Sequence, residues 1–231
     1  MKNMFFCALL LLTFASMAVG AEFSADMITH TPMGKESGKI YHKNSDISRT
    51  EMMGMTNIIK YPQVYQIVDE TNKYVVTDLD ELSKEHPVAG VRDFEQFVKE
   101  NNFRKTGTEN LQGYRCEIYE GEVKFSPEDG QELMSIFMKL WYSSELDYPL
   151  RTESTLPPPM GGKVVSYLEN ITKGKQSDSL FEIPPDYTRV QSIQEAMGMP
   201  GIPSIGEMPS PEQMEDMMEM MQKMMEQLSP E

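Results

Sequence analysis

The sequence predicts a mainly β chain of the α+β kind: an antiparallel sheet with a short helical insert, ending in a methionine-rich amphipathic helix. Three observations predict it. Runs of β-branched and aromatic residues recur along most of the chain, separated by turn-forming residues. One stretch, from Val91 to Asn101, switches to helical spacing with Val91, Phe94, Phe97 and Val98 on one stripe. Beyond Ser210, methionines repeat at helical intervals on one face only.

The strongest strand signal is the pair Val64–Val68 and Lys73–Thr77, joined by Asp69-Glu70-Thr71-Asn72. A hairpin tip at Glu70 and Thr71 sets Tyr65 opposite Val76 and Ile67 opposite Tyr74, building an aromatic-aliphatic patch on one face. Upstream, residues 22–31 alternate as a first strand, Pro32 to Lys35 turns the chain, and Gly38 to Asn44 returns. Residues 49–55 and 57–61 form the next two strands, and Pro62 marks an edge position or a bulge. A helical turn or two follows over residues 80–86, stopped by Pro87, and then the insert Val91–Asn101. Strands resume over residues 105–110 and 114–123 across Leu111-Gln112-Gly113, then 134–143 with Trp141, 149–156, and 163–172 after a Pro/Gly-rich turn. Eight to ten strands joined by hairpins must curl, close or be covered to hide their apolar face.

The amino terminus reads as an export signal: Lys2, an apolar run from Met4 to Val19, then small residues with cleavage near Gly20–Ala21. The run is shorter than the ~20 residues a spanning helix needs, and no second apolar stretch follows. Domains are therefore expected as signal peptide 1–21, a β domain 22–192, a Pro/Gly/Met-rich linker 193–210 and a helix 211–229. Signal removal takes away only Lys2 and moves the formal charge from −15 to −16. So acidic a chain suits neither nucleic acid nor anionic membrane surfaces, which need clustered Lys and Arg. Of the two cysteines only Cys116 remains after cleavage, so no intrachain disulfide forms.

His30, His42 and His86 show no metal spacing, and no nucleophile elbow or glycine-rich phosphate loop is present, so no enzyme activity and no cofactor are expected. Cys116 reads as a small core residue rather than a reactive thiol. The tail helix starts at Ser210-Pro211-Glu212-Gln213, with Ser at the N-cap and Pro at the first helical position. Met214, Met217, Met218, Met221, Met224 and Met225 share its apolar face. Such a face serves as a lid, a dimer interface or a partner hook, because unbranched thioethers adapt to irregular surfaces. Its soft sulfurs also suit copper(I).

The order of short motifs adds a resemblance. Gly38-Lys-Ile-Tyr, Arg49-Thr-Glu-Met, Gly113-Tyr-Arg-Cys-Glu-Ile-Tyr, Leu140-Trp-Tyr-Ser, Tyr148-Pro-Leu-Arg-Thr-Glu and Leu180-Phe-Glu-Ile-Pro-Pro-Asp-Tyr follow one another over roughly residues 22–190. In that order they resemble a bacterial domain of unknown function in the superfamily of periplasmic lipoprotein carriers (LolA, LolB and the LppX/LprG lipid-binding proteins). The resemblance implies a half-open antiparallel barrel around a helical lid, with an apolar cavity between them. It implies a non-catalytic periplasmic carrier or binding protein for an apolar lipid-like ligand or lipidated client. Tyr65, Ile67, Tyr74 and Val76, with Phe94, Phe97 and Val98 of the covering helix, are the expected cavity-lining residues. The alternatives are a Met-rich copper(I) protein of the envelope, or a partner-binding protein whose barrel is a scaffold.

Overall fold

The computed structural model describes residues 21–85, 93–125, 134–156 and 161–198. The signal segment up to Gly20, the start of the insert helix, the turn at Pro157–Met160, the linker from Met199 and the Met helix lie outside the described residues.

Twelve strands form one sheet: β1 Phe23–Thr31, β2 Gly34–Asn44, β3 Ile47–Met52, β4 Met55–Lys60, β5 Gln63–Val68, β6 Lys73–Asp78, β7 Arg104–Leu111, β8 Tyr114–Phe125, β9 Met134–Ser143, β10 Tyr148–Leu156, β11 Gly162–Lys173 and β12 Thr188–Arg189. Their order is β12-β6-β5-β4-β3-β2-β1-β11-β10-β9-β8-β7. Two hairpin meanders, β1–β6 and β7–β11, are thus joined edge to edge by the β1–β11 pair. Every pairing is antiparallel except that of β12, which lies parallel to β6. The first and last strands of this order, β12 and β7, do not pair with each other, so the sheet stays open among the described residues. The mainly β antiparallel architecture is the one the strand pattern predicts, and its openness is what the resemblance implies.

Short turns set the registers. Met53 and Gly54 between β3 and β4, and Gln112 and Gly113 between β7 and β8, all have positive φ. That is the pattern of two-residue hairpin turns whose twist matches the strands they join. Pro62, expected at an edge or bulge, instead sits in the turn between β4 and β5, two interior strands. A turn needs no ladder N–H from proline, so pairing is complete on both sides of it. Its carbonyl accepts the Leu79 N–H at 2.7 Å and fixes the start of helix α1.

Neighbouring residues on a strand point to opposite faces, and on β4–β6 both faces are covered. On one, α1 (Leu79–Glu85) packs Leu79 and Leu82 against Ile59 and Val64. On that face too, Val68 and Val75 pack against Val190, Ala196 and Ile193. Residues 193–196 belong to a helical turn, α3 (Ile193–Ala196), capped by the Ser192 side chain, in a segment expected to open the linker. On the other face lie Ile58 and Ile67, under Phe181. Helix α2 (Phe94–Glu100) is capped by Asp93, whose carboxylate accepts the Gln96 N–H at 2.8 Å. It presents Phe94 and Phe97 to Val123, Ile136, Met138 and Leu140 of β8 and β9.

The largest cluster joins the two meanders: Phe23, Met27, Ile40, Cys116, Trp141, Tyr148, Leu150 and Leu168 are all among its buried members. Register shifts between Ser24 and Asp26 and between Pro149 and Arg151 fall beside it. Extra residues of this kind raise local twist and bend the sheet. Cys116 is fully buried here, and burial pushes its thiol up to about 11, as befits a core residue rather than a nucleophile.

Candidate functional site

The residues expected to line one cavity fall into two clusters. The hairpin register is the expected one, Tyr65 opposite Val76 and Ile67 opposite Tyr74. Ile67 is 1% exposed, beneath Phe181, while Tyr65 and Tyr74 are half-buried beside Leu180, Ile183 and Tyr187. The cover is therefore the segment after β11, not the insert helix. It is pinned by polar contacts at several points. Arg49 donates to the Leu180 carbonyl at 2.8 Å, Tyr187 donates to Asp69 at 3.0 Å, and Lys43 pairs with Asp178. Phe94, Phe97 and Val98 lie at the other end of the strand order, where Phe94 stacks on Tyr142 at 3.8 Å between centroids. The sheet is twelve strands wide, so one helix of seven residues covers only the strands nearest its own connection.

An open cleft of about 490 Å³ lies elsewhere, where β1, β10 and β11 meet the β7–β8 hairpin tip. Its apolar wall is Leu111, Leu150, Val165 and Leu168, and its polar groups are His30, Gln112, Arg151 and Tyr167. Arg151 and Tyr167 of its lining belong to one cross-strand row, in which Trp141 pairs with Arg151, Arg151 with Tyr167, and Tyr167 with Ile28. The register shift between Pro149 and Arg151 leaves Leu150 without a ladder partner on β9. The tip carries Leu111 and Gln112 to the cleft because the Gln112-Gly113 turn is tight.

Its charged groups are held in place. The Arg151 guanidinium lies over the Trp141 ring at 4.8 Å, with Lys139 over the same ring at 5.1 Å. Trp141 donates its indole N–H to Glu109 at 2.7 Å, and Lys139 pairs with Glu120 at 2.7 Å. Glu153 accepts from Arg151 and also pairs with Lys163 at 2.6 Å. Burial raises the Glu153 carboxyl, but the hydrogen bonds from Lys163 and Arg151 outweigh it and hold the group below its ordinary value. His30 stacks on Tyr167 with ring centroids 5.9 Å apart. The Arg151 Nε is buried and has no hydrogen-bond partner within the protein.

Sequence reasoning missed this site because its residues come from four distant stretches, although Trp141 and Arg151 both lie in motifs that carry the resemblance. Among the described residues no group of three His, Cys, Asp or Glu side chains is placed to hold a metal ion. No helix of the described residues is long and apolar enough to cross a membrane.

Similarity to known proteins concerns fold and family. No curated protein matches the chain. Among solved structures it is similar to an uncharacterized conserved protein from Thermus thermophilus, at 13% identity over 75% of this chain and 92% of that one, with a TM-score of 0.48. It is similar to LprF from Mycobacterium bovis, at 12% identity over 73% and 90% of the two chains, TM-score 0.38. A LolA superfamily protein from Nitrosomonas europaea is also similar, at 11% identity over 72% and 92%, TM-score 0.37. A family profile matches residues 16–148, more than half of the chain. The chain belongs to that family, the domain of unknown function DUF4412.

Proposed function

We propose that the protein is a non-catalytic binding protein of the bacterial envelope that holds an apolar, lipid-like ligand or the acyl part of a lipidated client. The observation that carries this reading is the cleft of about 490 Å³ walled by Leu111, Leu150, Val165 and Leu168. Its volume falls in the ~300–1,000 Å³ range of ligand pockets. Burying an acyl chain there is favourable by ~0.8 kcal/mol per methylene, so affinity needs few polar contacts. The export signal expected before Ala21 supplies the compartment. The Met-rich helix expected at 211–229 is a hook for a partner, a second copy or the client itself, and its thioether face suits an adaptable apolar surface.

Native mass spectrometry of the chain purified from the envelope without detergent tests this reading. The expected spectrum carries a heterogeneous mass excess that dissociates as acyl or phospholipid species. A bare chain mass that also takes up no added fatty acid overturns it.

A further inference from the structure

Two methionines sit where turn chemistry asks for polar residues. Met53 opens the two-residue turn between β3 and β4 at φ 54, a left-handed position that favours Asn, Asp or Gly, and it is 58% exposed. Met33 follows Pro32 in the turn between β1 and β2. Its N–H donates to the Thr31 hydroxyl at 3.1 Å, and the residue is 80% exposed. Both turns lie at the same end of the first meander. Met52, next to Met53 in the chain, is only 7% exposed and belongs with Met27 to the cluster that joins the two meanders. Met138 is fully buried in the cluster beneath α2. The same thioether thus stands in two environments, one open to small solutes and one close-packed against them.

A thioether open to solvent is a site of two-electron oxidation. Its sulfur attacks one oxygen of hydrogen peroxide and the O–O bond breaks. The departing hydroxide takes the proton left on the transferred oxygen and becomes water. Sulfur loses two electrons, peroxide gains them, and the product is a polar sulfoxide. In a core that oxygen would be buried without a partner; at a turn it meets water. We propose that Met33 and Met53 are reversible oxidation sites of this domain, accepting oxygen from peroxide while Met27, Met52 and Met138 stay reduced. The modification replaces two apolar projections at hairpin tips with polar ones and leaves the sheet intact.

Limited hydrogen peroxide treatment of the purified full chain, with each methionine followed by fragment-ion mass spectrometry, tests it. Met33 and Met53 should be oxidised roughly tenfold or more faster than Met27, Met52 and Met138. In concentrated urea all of them should react at one rate, since the fold is what separates them. Once only the two tips are oxidised, the urea unfolding midpoint should be unchanged. Methionine sulfoxide reductases A and B together should then restore the original mass, one enzyme acting on each sulfoxide epimer. Comparable rates for Met52 and Met53 in the native chain, or a preference that persists in urea, overturns the assignment. So does a fall in the unfolding midpoint with tip oxidation alone, or a mass that the reductases do not restore.

Discussion

Arg151 and Trp141 face each other across the β9–β10 ladder, and the guanidinium of one lies 4.8 Å above the ring of the other. Trp141 is the single tryptophan of the chain. A ligand that engages Arg151 must therefore act on the environment of the only indole. Adding decanoic acid should change the tryptophan emission saturably, and Arg151→Met should remove that response. A ligand at 100 times its dissociation constant should also stabilise the fold by about 2.7 kcal/mol, raising Tm by roughly 5–10 °C. Emission and Tm that both stay constant under saturating acid would place any binding elsewhere.

Phe181 is 2% exposed and closes over Ile58 and Ile67. Phe181→Ala should cost about 3–5 kcal/mol, the range for truncating a buried phenylalanine, as read by urea unfolding. Ligand binding at the Arg151 cleft should be unchanged in the variant. A small stability loss accompanied by a new acyl-binding capacity would instead make Phe181 a plug over a ligand site at Tyr65 and Tyr74.

His42 is packed between Phe23, 5.1 Å away, and Tyr148, 5.3 Å away, and its Nδ1 has no hydrogen-bond partner. Burial lowers its pKa from 6.5 to about 4. The folded state thus binds this proton less readily than the unfolded state. Stability from this group is complete above pH 6.5 and is lost as pH falls toward 4, to a total of about 3 kcal/mol. The difference between the wild-type protein and His42→Phe in urea unfolding isolates the effect from the carboxylates. It should shift by about that amount between roughly pH 7 and pH 4. Parallel pH profiles for the two proteins would contradict the assignment.

Gly121 has no room for a side chain, since an added Cβ would meet the Phe103 ring at 2.5 Å. Phe103 packs with Phe97 of α2, their ring centroids 5.2 Å apart. Gly121→Ala should shift that packing and cost about 1–3 kcal/mol, the usual range for overpacking, with the cleft at β10–β11 unaffected. Denaturant unfolding and decanoic acid titration of one sample check both halves.

Local chemistry made much of the sheet legible. The pairing of Tyr65 with Val76 follows from two β-rich runs and the turn residues between them, and α2 follows from the spacing of Phe94, Phe97 and Val98. What joins those parts was not legible, because it is decided by contacts far apart in the chain. β1 pairs with β11 as well as with its sequence neighbour β2, and Phe181 covers a patch more than a hundred residues upstream. Residues 175–187 have no periodicity to announce a cover; their apolar side chains matter only once β4–β6 present Ile58 and Ile67. The cleft is hidden for the same reason, since His30, Leu111, Arg151 and Val165 meet only through the β1–β11 closure and the β7–β8 turn.

Mapping by photo-crosslinking is the most direct test of acyl binding at this cleft. The purified chain would be irradiated with a fatty acid bearing a diazirine in its chain, digested, and sequenced by mass spectrometry. Saturable labelling is expected on the β7–β8 tip around Leu111 and on β11 around Val165, reduced by unlabelled decanoic acid. Labelling confined to Tyr65, Tyr74 or the α2 region, or insensitive to competitor, would contradict it.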